Sequence, residues 1–312
     1  MSASFRFAPM PELPDLTVYV EALRARTCGE ALLGVRIGSP FLLRSVEPPL
    51  DALIGRHVES IERLGKRIVM GFGDELYLVL HLMIAGRLHW TPHGGKPGRR
   101  ASLATFEFGS GTLTLTEAGT KRRASLYLVR GRDALAEHDR GGLEMSSASL
   151  SQFAERLKAE NHTLKRSLAD PRLFSGIGNA YSDEILHRAR LSPVKLTGRL
   201  SDEEVGRLFE ATRSTLAVWT ERLRAEAGDD FPENVTAFRA EMAVHGKFGQ
   251  PCPVCGTAVQ RIRYADNETN YCPRCQTEGK LLADRALSRL LKGDWPASID
   301  EWEGTRTAKG GG

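Results

Sequence analysis

The stretch CPVCGTAVQRIRYADNETNYCPRC, from Cys252 to Cys275, holds four of the five cysteines of the chain. They form two Cys-x-x-Cys pairs, Cys252 with Cys255 and Cys272 with Cys275, and sixteen residues lie between the pairs. Four thiolates at this spacing can complete the tetrahedral coordination of one Zn(II) ion. Gly256 favours a tight turn after the first pair, and the runs VQRIRYA and TNYC can pair as a hairpin. The stretch therefore predicts a zinc finger that holds one structural Zn(II) ion.

Two other uses of these cysteines fit the chain less well. A disulfide framework is typical of secreted proteins, and the first nine residues lack the apolar core of a signal peptide. A redox Cys-x-x-Cys motif would not need two copies. The fifth cysteine, Cys28, stands alone in a helical stretch, and we expect it to be a buried, small apolar residue.

Composition and charge are those of a globular protein with more than one domain. At 312 residues, with 41% hydrophobic and 26% charged residues, the chain can form two domains with their own cores. No apolar run approaches the roughly 20 residues of a membrane span, so we expect a cytoplasmic protein without a membrane partner. The net charge is only +4, but basic residues cluster at Lys66-Arg67, Arg99-Arg100, Lys121-Arg122-Arg123, Lys165-Arg166, and Arg261 with Arg263. Such clusters suit a polyanion laid across several elements, and they are also compatible with solvated surface charge.

The segments that precede the finger change from β-rich to helical. Between Leu33 and about Arg130 lie the short apolar runs RIVMGF, ELYLVLHL, LATFEFG and TLTLTE, and FEFGSGTLTL is a hairpin signal. This spacing predicts a β-sandwich. After the polar segment HDRGGLEMSSAS, near 140–149, the apolar period predicts helices over 150–159, 162–169, 180–190 and 201–226. Ahead of the strands, the apolar face of MPELPDLTVYVEAL predicts a helix from residue 15 to about residue 29.

Three motifs occur in order along the chain: Pro-Glu-Leu-Pro from Pro11, Gly-Ile-Gly-Asn ending at Asn179, and the four-cysteine finger. In this order they resemble the formamidopyrimidine-DNA glycosylase and endonuclease VIII family, of which the chain looks like a divergent member. The resemblance extends from Pro11 to about Cys275. It implies an α+β multidomain fold with an N-terminal β-sandwich and a flanking helix, a helix–two-turn–helix domain, and a C-terminal four-cysteine zinc finger.

On this basis we expect four parts along the chain. A catalytic β-sandwich domain covers residues 10–140, a DNA-binding helix–two-turn–helix domain covers 150–240, and the zinc finger covers 245–276. Residues 277–312 form a C-terminal extension. Within it the run LLADRALSRLLK predicts a helix, and the Gly-rich end predicts partial disorder.

The resemblance also implies roles for individual residues. Pro11 matches the terminal proline that serves the family as nucleophile, and Glu12 matches the adjacent acid/base. Lys66, in ERLGKRIVM, matches a hairpin lysine that contacts phosphates and assists catalysis. Asn179 matches an asparagine that binds a DNA phosphate. Each residue alone is a weak signal, but their order together with the finger is specific.

These residue types suit the activity that the resemblance implies, which is a base-excision-repair DNA glycosylase with abasic-site lyase activity. A damaged nucleotide must leave the duplex before its sugar is attacked, at a cost on the order of a few kcal/mol. An α-amino group, with a pKa of roughly 7.7–8.0, keeps a larger uncharged fraction than a lysine near 10.4. A neighbouring carboxylate can carry protons during ring opening and elimination. We expect damaged DNA as the partner, a monomer, and association with the bacterial nucleoid.

The amino terminus and the finger depart from the family pattern. Nine residues precede Met10, and a proline nitrogen that is acylated cannot form an iminium, so we expect translation to start at Met10. On the finger, Asn267 stands where the family has a phosphate-binding arginine. Because Asn267 lacks the charge and the bidentate fork of arginine, a second elimination is in question. Arg263 and Arg261 are the candidates to replace that arginine.

The residues that fill the gap left by the flipped nucleotide also differ from those of the formamidopyrimidine branch. Ile84, in HLMIAGRLHW, stands at the site of an intercalating methionine, and TEAGTKRRASLYL lacks the phenylalanine of that branch. Ile84 and Arg122 are therefore the candidates for the wedge and for contact with the opposite strand. The lesion preference of the oxidised-guanine enzymes does not follow from this sequence.

Two other hypotheses belong to different functional classes. The first is a non-catalytic nucleic-acid-binding protein that retains the fold and the zinc finger. It would gain support if Pro11 could be replaced without effect. The second, a zinc-ribbon accessory factor unrelated to repair, explains the cysteines but neither Pro11-Glu12 nor the Gly-Ile-Gly-Asn turn.

Overall fold

The computed structural model describes residues 10–95, 102–118, 122–233, 235, 239–264, 267–282 and 298–301. The chain divides into two compact units. Unit 1 comprises the residues up to Gly142 together with Ala217–Ala237, and unit 2 comprises Leu143–Leu216 together with the residues from Phe238 onward. The division after Gly142 lies in the polar segment of the sequence, but part of the helical region belongs to the β-rich unit.

Unit 1 begins with helix α1 (Leu13–Thr27), which is followed by two four-stranded antiparallel sheets. The strands are β1 (Leu32–Ile37), β2 (Val58–Leu64), β3 (Arg67–Phe72), β4 (Leu76–His81), β5 (Gly86–Pro92), β6 (Ser102–Phe108), β7 (Gly111–Glu117) and β8 (Ser125–Arg130). One sheet has the order β2-β3-β4-β8, and the other has the order β1-β6-β7-β5. A short helix, α2 (Arg132–Ala136), follows β8.

The two sheets share one hydrophobic core and therefore form a sandwich, as predicted. Side chains alternate between the core and the outer face, because successive residues of a strand point to opposite sides. In β7, for example, Leu113 and Leu115 are buried, whereas Thr112 and Thr114 are only half-buried. The strands β3 and β4 are buried at most positions, since each has a neighbour on both sides.

Helix α1 packs on this core. It contributes Leu16, Tyr19, Val20 and Leu23 to the core. Glu12 is the N-cap, and its backbone N–H donates to Asp15 Oδ2 at 3.0 Å in a capping box that ties the two residues together. Pro14 lies in the first turn, where a helix does not need its N–H group. The predicted helix is confirmed, and it starts and ends two residues earlier than expected.

Unit 2 is helical up to the finger. Its helices are α3 (Leu150–Lys158), α4 (Leu164–Ala169), α5 (Asn179–Ala189) and α6 (Asp202–Ala227), all within two residues of their predicted bounds. The ring of Phe153 lies 5.0 Å from that of Phe174 and 5.5 Å from that of Phe209, so aromatic residues form the centre of this helical core. Helix α6 belongs to unit 2 up to Leu216 and to unit 1 from Ala217. An apolar helical period marks the helix but does not mark this division.

The finger contains a hairpin of β9 (Gln260–Tyr264) and β10 (Asn267–Tyr271), followed by helix α7 (Pro273–Thr277). The predicted hairpin is confirmed, with Tyr264 opposite Asn267. Part of the C-terminal extension packs on the end of the finger, where Arg274 donates to Asp300 Oδ1 at 3.0 Å. Ile299 is fully buried, and its N–H donates to the carbonyl oxygen of Gly279 at 2.8 Å.

One expectation is wrong, and several lie outside the described residues. Cys28 is exposed and not buried. It is the C-cap of α1, and its extended backbone, with φ of −63° and ψ of 129°, leads the chain out of the helix instead of into the core. The nine residues before Met10, most of LLADRALSRLLK and the Gly-rich end are not among the described residues. Within the part of the chain that is described, no helix is long and apolar enough to cross a membrane.

The shared core of the sandwich predicts where stability is lost. Leu78 lies in the middle of β4 and is 1% exposed, so Leu78→Ala should lower the free energy of unfolding by about 2–5 kcal/mol through lost burial and a cavity. Leu33→Ala is the matched control, because Leu33 of β1 is 59% exposed and its loss should cost less than about 0.5 kcal/mol. Urea denaturation measures both variants. Equal losses would contradict this assignment of the core.

Candidate functional site

The four cysteines of the finger bring their sulfur atoms together. All four Sγ atoms lie within 4.8 Å of one another. The Sγ atoms of Cys252 and Cys275 are 3.9 Å apart, and those of Cys255 and Cys272 are 3.4 Å apart. Zn–S bonds of about 2.3 Å in a tetrahedron separate the sulfur atoms by about 3.8 Å. The donor set therefore fits Zn(II), and the finger holds one structural zinc ion.

The buried surroundings of Cys272 and Cys275 disfavour a free thiolate, so these sulfur atoms need a bound cation to stay deprotonated. Burial raises the pKa of the Cys272 and Cys275 thiols, so each keeps its proton near neutral pH unless a cation replaces it. His187, on α5, places Nε2 3.2 Å from Cys252 Sγ. Burial lowers the pKa of His187, and its neutral ring can donate an N–H to this sulfur. The zinc site is thereby tied to helix α5.

Pro11 and Glu12 lie buried at the amino-terminal end of α1. Glu12 is only 1% exposed, and the capping box with Asp15 holds its backbone. A residue that is both a helix cap and buried has few conformations. The positions of the Pro11 ring and the Glu12 carboxylate are therefore set by the start of the helix and not by a mobile loop.

Helix α1 runs antiparallel to β2, and this brings Lys66 to the same end of unit 1 as Pro11. The carboxyl-terminal end of α1 pairs with the first residue of β2, and Arg24 Nε donates to the carbonyl oxygen of Ile61 at 2.6 Å. From Arg24 back to Glu12 the helix rises about 18 Å. From Ile61 forward the strand extends about 10 Å to its end at Leu64, and the two-residue turn with Lys66 follows. The start of α1 and the β2–β3 turn therefore lie toward the same end of unit 1.

Lys66 lies at the tip of the β2–β3 hairpin, as expected. Gly65 and Lys66 connect Leu64 to Arg67, which pair directly. Gly65 has a φ of 60°, as the first turn residue of a type II′ hairpin requires. Arg67 pairs with His81 in the ladder of β3 and β4. Burial, together with the charges of Arg67 and Lys66, lowers the pKa of His81 to about 4, so this imidazole is neutral at pH 7.

The turn after β4 presents Ile84, which is 38% exposed. Met83, directly before it, has a φ of 51°, in the left-handed region that a residue with a side chain rarely occupies. Gly86 closes the turn, and a Cβ atom there would lie 2.3 Å from the carbonyl oxygen of Leu82. Because β4 ends beside the β2–β3 hairpin, Ile84 lies at the same end of the sandwich as that hairpin.

Arg122 is exposed on the segment between β7 and β8. The carboxylate of Glu117 holds this segment by accepting the backbone N–H of Arg123 at 2.9 Å and that of Ala124 at 3.2 Å. In addition, the N–H of Ala118 donates to the carbonyl oxygen of Ala85 at 3.3 Å, in the turn that carries Ile84. The Arg122 segment and the Ile84 turn are therefore neighbours.

We call this end of unit 1 the loop rim. It consists of residues 11 and 12 at the start of α1, the turn at 65–66, the turn at 82–85 and residues 122–124. His81 belongs beside it, and reasoning from the sequence missed this residue. The available signal was its position as a polar residue directly after the apolar run LYLVL.

In unit 2, Asn179 begins helix α5 directly after the N-cap Gly178. Lys165 Nζ donates to the backbone carbonyl oxygen of Asn179 and to Asp183 Oδ1, each at 2.5 Å. The side chain of Asn179 donates through Nδ2 to the carbonyl oxygen of Glu268 in β10, at 3.1 Å. The structure thus brings the Gly-Ile-Gly-Asn turn and the finger hairpin together. The sequence motifs did not predict the roles of Lys165 and Asp183.

Asn267 is exposed on the hairpin, and the two candidate arginines lie on its other face. Because side chains alternate along a strand, Arg261 and Arg263 share a face with Glu268 and not with Asn267. The guanidinium of Arg261 lies 4.1 Å from the centroid of the Phe248 ring and 3.3 Å from Glu268 Oε2. Arg261 is therefore engaged within the finger.

Comparison with protein families finds three matches along the chain. The formamidopyrimidine-DNA glycosylase N-terminal domain matches residues 10–124, the H2TH domain of the same glycosylase matches 142–225, and the zinc finger found in FPG and IleRS matches 249–277. The matched segments contain α1 with the strands as far as β7, the helices with the Gly-Ile-Gly-Asn turn, and all four zinc ligands.

Individual relatives extend this similarity over the whole matched region. A formamidopyrimidine-DNA glycosylase of Thermus thermophilus is 34% identical over 285 residues, which cover 86% of this chain and 100% of the relative. The crystal structure of the MutM (Fpg) protein from Thermus thermophilus has a TM-score of 0.71 at 31% identity and covers 85% of this chain and 98% of its own. A complex of the Lactococcus lactis Fpg with DNA containing an abasic site has a TM-score of 0.75 at 24% identity, covering 85% and 99%. The last comparison supports the fold alone.

The zinc site predicts opposite outcomes for two cysteine substitutions. Cys272→Ser removes one of four ligands, so the protein should lose its single zinc ion and with it the order of the finger, because so small a module depends on its metal. Elemental analysis of the purified protein measures the zinc content. Cys28→Ser is the matched control, since Cys28 is exposed in unit 1, and it should retain one zinc per chain. Full zinc content in Cys272→Ser would refute the assignment.

Proposed function

The chain belongs to the formamidopyrimidine-DNA glycosylase family, and we propose that it is a base-excision-repair DNA glycosylase that also cleaves the strand at the resulting abasic site. The observation that supports this proposal is the direction of α1 along β2, which puts the start of the helix, with Pro11 and Glu12, and the turn with Lys66 toward one end of unit 1. A nucleophile, a proton carrier and a phosphate-binding cation are the groups that this reaction requires.

The proposed nucleophile is the ring nitrogen of Pro11 at a free amino terminus. Its lone pair attacks C1′ of a nucleotide that has left the duplex, and the base departs with the electron pair of the glycosidic bond and with the proton that the Pro11 nitrogen gives up, which restores the lone pair of that nitrogen. The C1′–O4′ bond then breaks, O4′ takes a proton, and the nitrogen lone pair forms the C=N bond of an iminium. Loss of a C2′ proton expels the 3′ phosphate, and water finally releases the proline.

Glu12 is the proposed proton carrier for these steps. It is adjacent to the nucleophile in the chain, and it is buried and held as a helix cap. A carboxylate in a fixed position can give a proton to O4′ when the sugar ring opens and can accept the proton from C2′. The buried capping box supports this role, because positioning accounts for much of the rate gain in general acid–base catalysis.

DNA phosphates are the proposed ligands of Lys66 and Asn179. Lys66 is at the tip of a tight hairpin, and Asn179 is the first residue of α5, where helix N–H groups and an amide side chain suit an anion. Contacts of this kind hold the backbone of any sequence. Neutral His81 beside Lys66 adds a hydrogen-bonding group without adding charge.

Ile84 and Arg122 are the proposed contacts to the gap left by the flipped nucleotide. Ile84 is an exposed apolar side chain on a strained turn, and Arg122 is on the adjacent segment. Apolar wedges between base steps stabilise a kinked duplex. For the finger, we expect the first elimination to predominate, because Asn267 is uncharged and both Arg261 and Arg263 lie on the other face of the hairpin.

A second candidate is a DNA-binding protein that retains the fold without the chemistry. One observation favours it, because Pro11 follows Met10, and its nitrogen is an amide while that peptide bond is intact. The lone pair of an amide nitrogen is delocalised into the carbonyl group, so it is not available for the attack on C1′. The two candidates differ in whether the protein forms a covalent bond to DNA.

Covalent trapping tests the proposed nucleophile. Protein that begins at Pro11 should be linked to DNA containing an abasic site when borohydride is present, since reduction converts the iminium into a stable amine. Gel electrophoresis under denaturing conditions measures the linked fraction. Protein that retains residues 1–10 is the matched control, and it should give no covalent product.

The outcome separates the candidates. Equal trapping by both forms would remove Pro11 as nucleophile and point to a lysine. No trapping by either form, with DNA still bound, would favour the non-catalytic protein.

Salt dependence tests the proposed phosphate contact of Lys66. Lys66→Ala should reduce the slope of log affinity against log salt concentration by about one unit, because one fewer phosphate is neutralised. Lys158→Ala is the control, because Lys158 of α3 is paired with Asp202 at 3.2 Å. The salt slope of this variant should equal that of the unaltered protein. Fluorescence anisotropy on labelled duplex measures both. An unchanged slope for Lys66→Ala would contradict the contact.

A further inference from the structure

Asp183 is a fully buried carboxylate with partners on three segments of unit 2. Its Oδ1 accepts from Lys165 Nζ of α4 at 2.5 Å. Its Oδ2 lies 2.8 Å from His245 Nδ1, ahead of the finger, and accepts the backbone N–H of Asn270 in β10 at 3.2 Å. A buried charge is tolerated only when it is paired and hydrogen-bonded in this way. Both oxygen atoms of Asp183 meet this requirement.

Asn179 is bound by one of these partners, Lys165, and by the strand that carries another, Asn270 of β10. Lys165, which Asp183 binds, also donates to the backbone carbonyl oxygen of Asn179 at 2.5 Å. Asn179 Nδ2 donates to the carbonyl oxygen of Glu268, two residues from the Asn270 N–H that Asp183 binds. One carboxylate therefore fixes the backbone of Asn179 and also the strand that its side chain contacts.

The bond to Glu268 sets the direction of the Asn179 amide. A side-chain amide nitrogen carries two N–H donors in one plane. With one donor directed at Glu268, the direction of the other follows, and hydrogen bonds weaken steeply when donor and acceptor are misaligned. Asn179 is half-buried, so part of the side chain is accessible to a ligand.

We propose that Asp183 is a positioning residue for Asn179, which it holds so that the second amide N–H is directed at a DNA phosphate. This inference rests on the proposed function, in which Asn179 binds phosphate. Asp183 touches no DNA itself. It acts through Lys165 on the start of α5 and through Asn270 on the finger hairpin.

A purely structural carboxylate would behave differently. Its removal would weaken DNA binding by loosening unit 2 as a whole. That loss of affinity would be independent of the Asn179 side chain. Independent losses in affinity multiply, whereas the losses of two residues that act through one contact do not. A double-mutant cycle therefore distinguishes positioning from general stability.

The experiment measures the affinity of the full chain for a duplex that contains a stable abasic-site analogue. The proteins are the unaltered chain, Asn179→Ala, Asp183→Asn and the double variant. Each single change should weaken binding by about tenfold, the size of a lost hydrogen bond to a charged group. The double variant should bind within about twofold of the weaker single variant. The zinc content of each protein shows that the finger is intact.

Three results would overturn the inference. Losses that multiply in the double variant would show that Asp183 acts independently of Asn179, and unaltered binding by Asp183→Asn would show that it has no role. If Asn179→Ala alone binds normally, the proposed phosphate contact fails, and the inference fails with it. The first two results leave the proposed function in place, so the two failures are distinguishable.

A second variant decides the question if Asp183→Asn loses its zinc or does not fold. Lys165→Gln removes the arm to the Asn179 carbonyl from a side chain that is 13% exposed, and it should show the same coupling to Asn179→Ala. Lys195→Gln is the matched control, because Lys195 is paired with Glu204 at 2.5 Å in the same unit. It loses the same charge. The fold-losses in DNA affinity of Lys195→Gln and Asn179→Ala should multiply in their double variant. If the fold-losses in DNA affinity of Lys165→Gln and Asn179→Ala multiply in their double variant, the inference is overturned.

Discussion

Two buried carboxylates in successive positions of α5, Asp183 and Glu184, are the anchor on which unit 2 depends. Successive residues of a helix point about 100° apart, so the two side chains reach different segments. Glu184 accepts the backbone N–H groups of Ala243, Val244 and His245 at 2.8–2.9 Å. Asp183 binds Lys165, His245 and the N–H of Asn270. The segment that leads into the finger, the hairpin and α4 are thus all bonded to one turn of one helix.

The finger needs this anchor because its own core is small. Its buried cluster consists of Val244, Cys252, Val259 and Cys272, and two of these four residues are zinc ligands. So few apolar contacts cannot offset the conformational entropy that ordering the module costs. The zinc ion and the hydrogen bonds from α5 supply the remaining stabilisation. His187 serves both, since it lies on α5 and contacts the sulfur of Cys252.

Unit 1 brings residues that are distant in sequence together at the loop rim. Pro11 and Arg122 are more than a hundred residues apart, yet strand ends and the start of α1 place both at the loop rim. Antiparallel pairing makes this possible because each turn returns the chain to the same edge. The rim combines cationic Lys66 with a His81 that stays neutral. Such a mixture can bind phosphate through charge and through hydrogen bonds.

Much of this architecture is readable from the sequence because the responsible interactions are local. The Cys-x-x-Cys spacing defines a zinc site within 24 residues, the period of two residues marks the strands, and the apolar helical period marks α1 and α3 to α6. The family resemblance located the hairpin of Lys66, and Gly65 at its tip favours the turn. Each of the local signals depends on residues only a few positions apart.

Tertiary structure decided what depends on distant partners. Cys28 lies in a helical stretch, but the end of α1 exposes it. The pairing register of β9 and β10 puts Arg261 and Arg263 on the face away from Asn267, and no composition reveals a register. In the sequence, Asp183 looks like an ordinary helix residue. In the structure it binds Lys165, His245 and Asn270, which are 18, 62 and 87 residues away along the chain. The sequence by itself determined the modules and the residue types at the rim and the finger. Their packing determined which side chains meet, because burial and pairing arise only when remote segments come together.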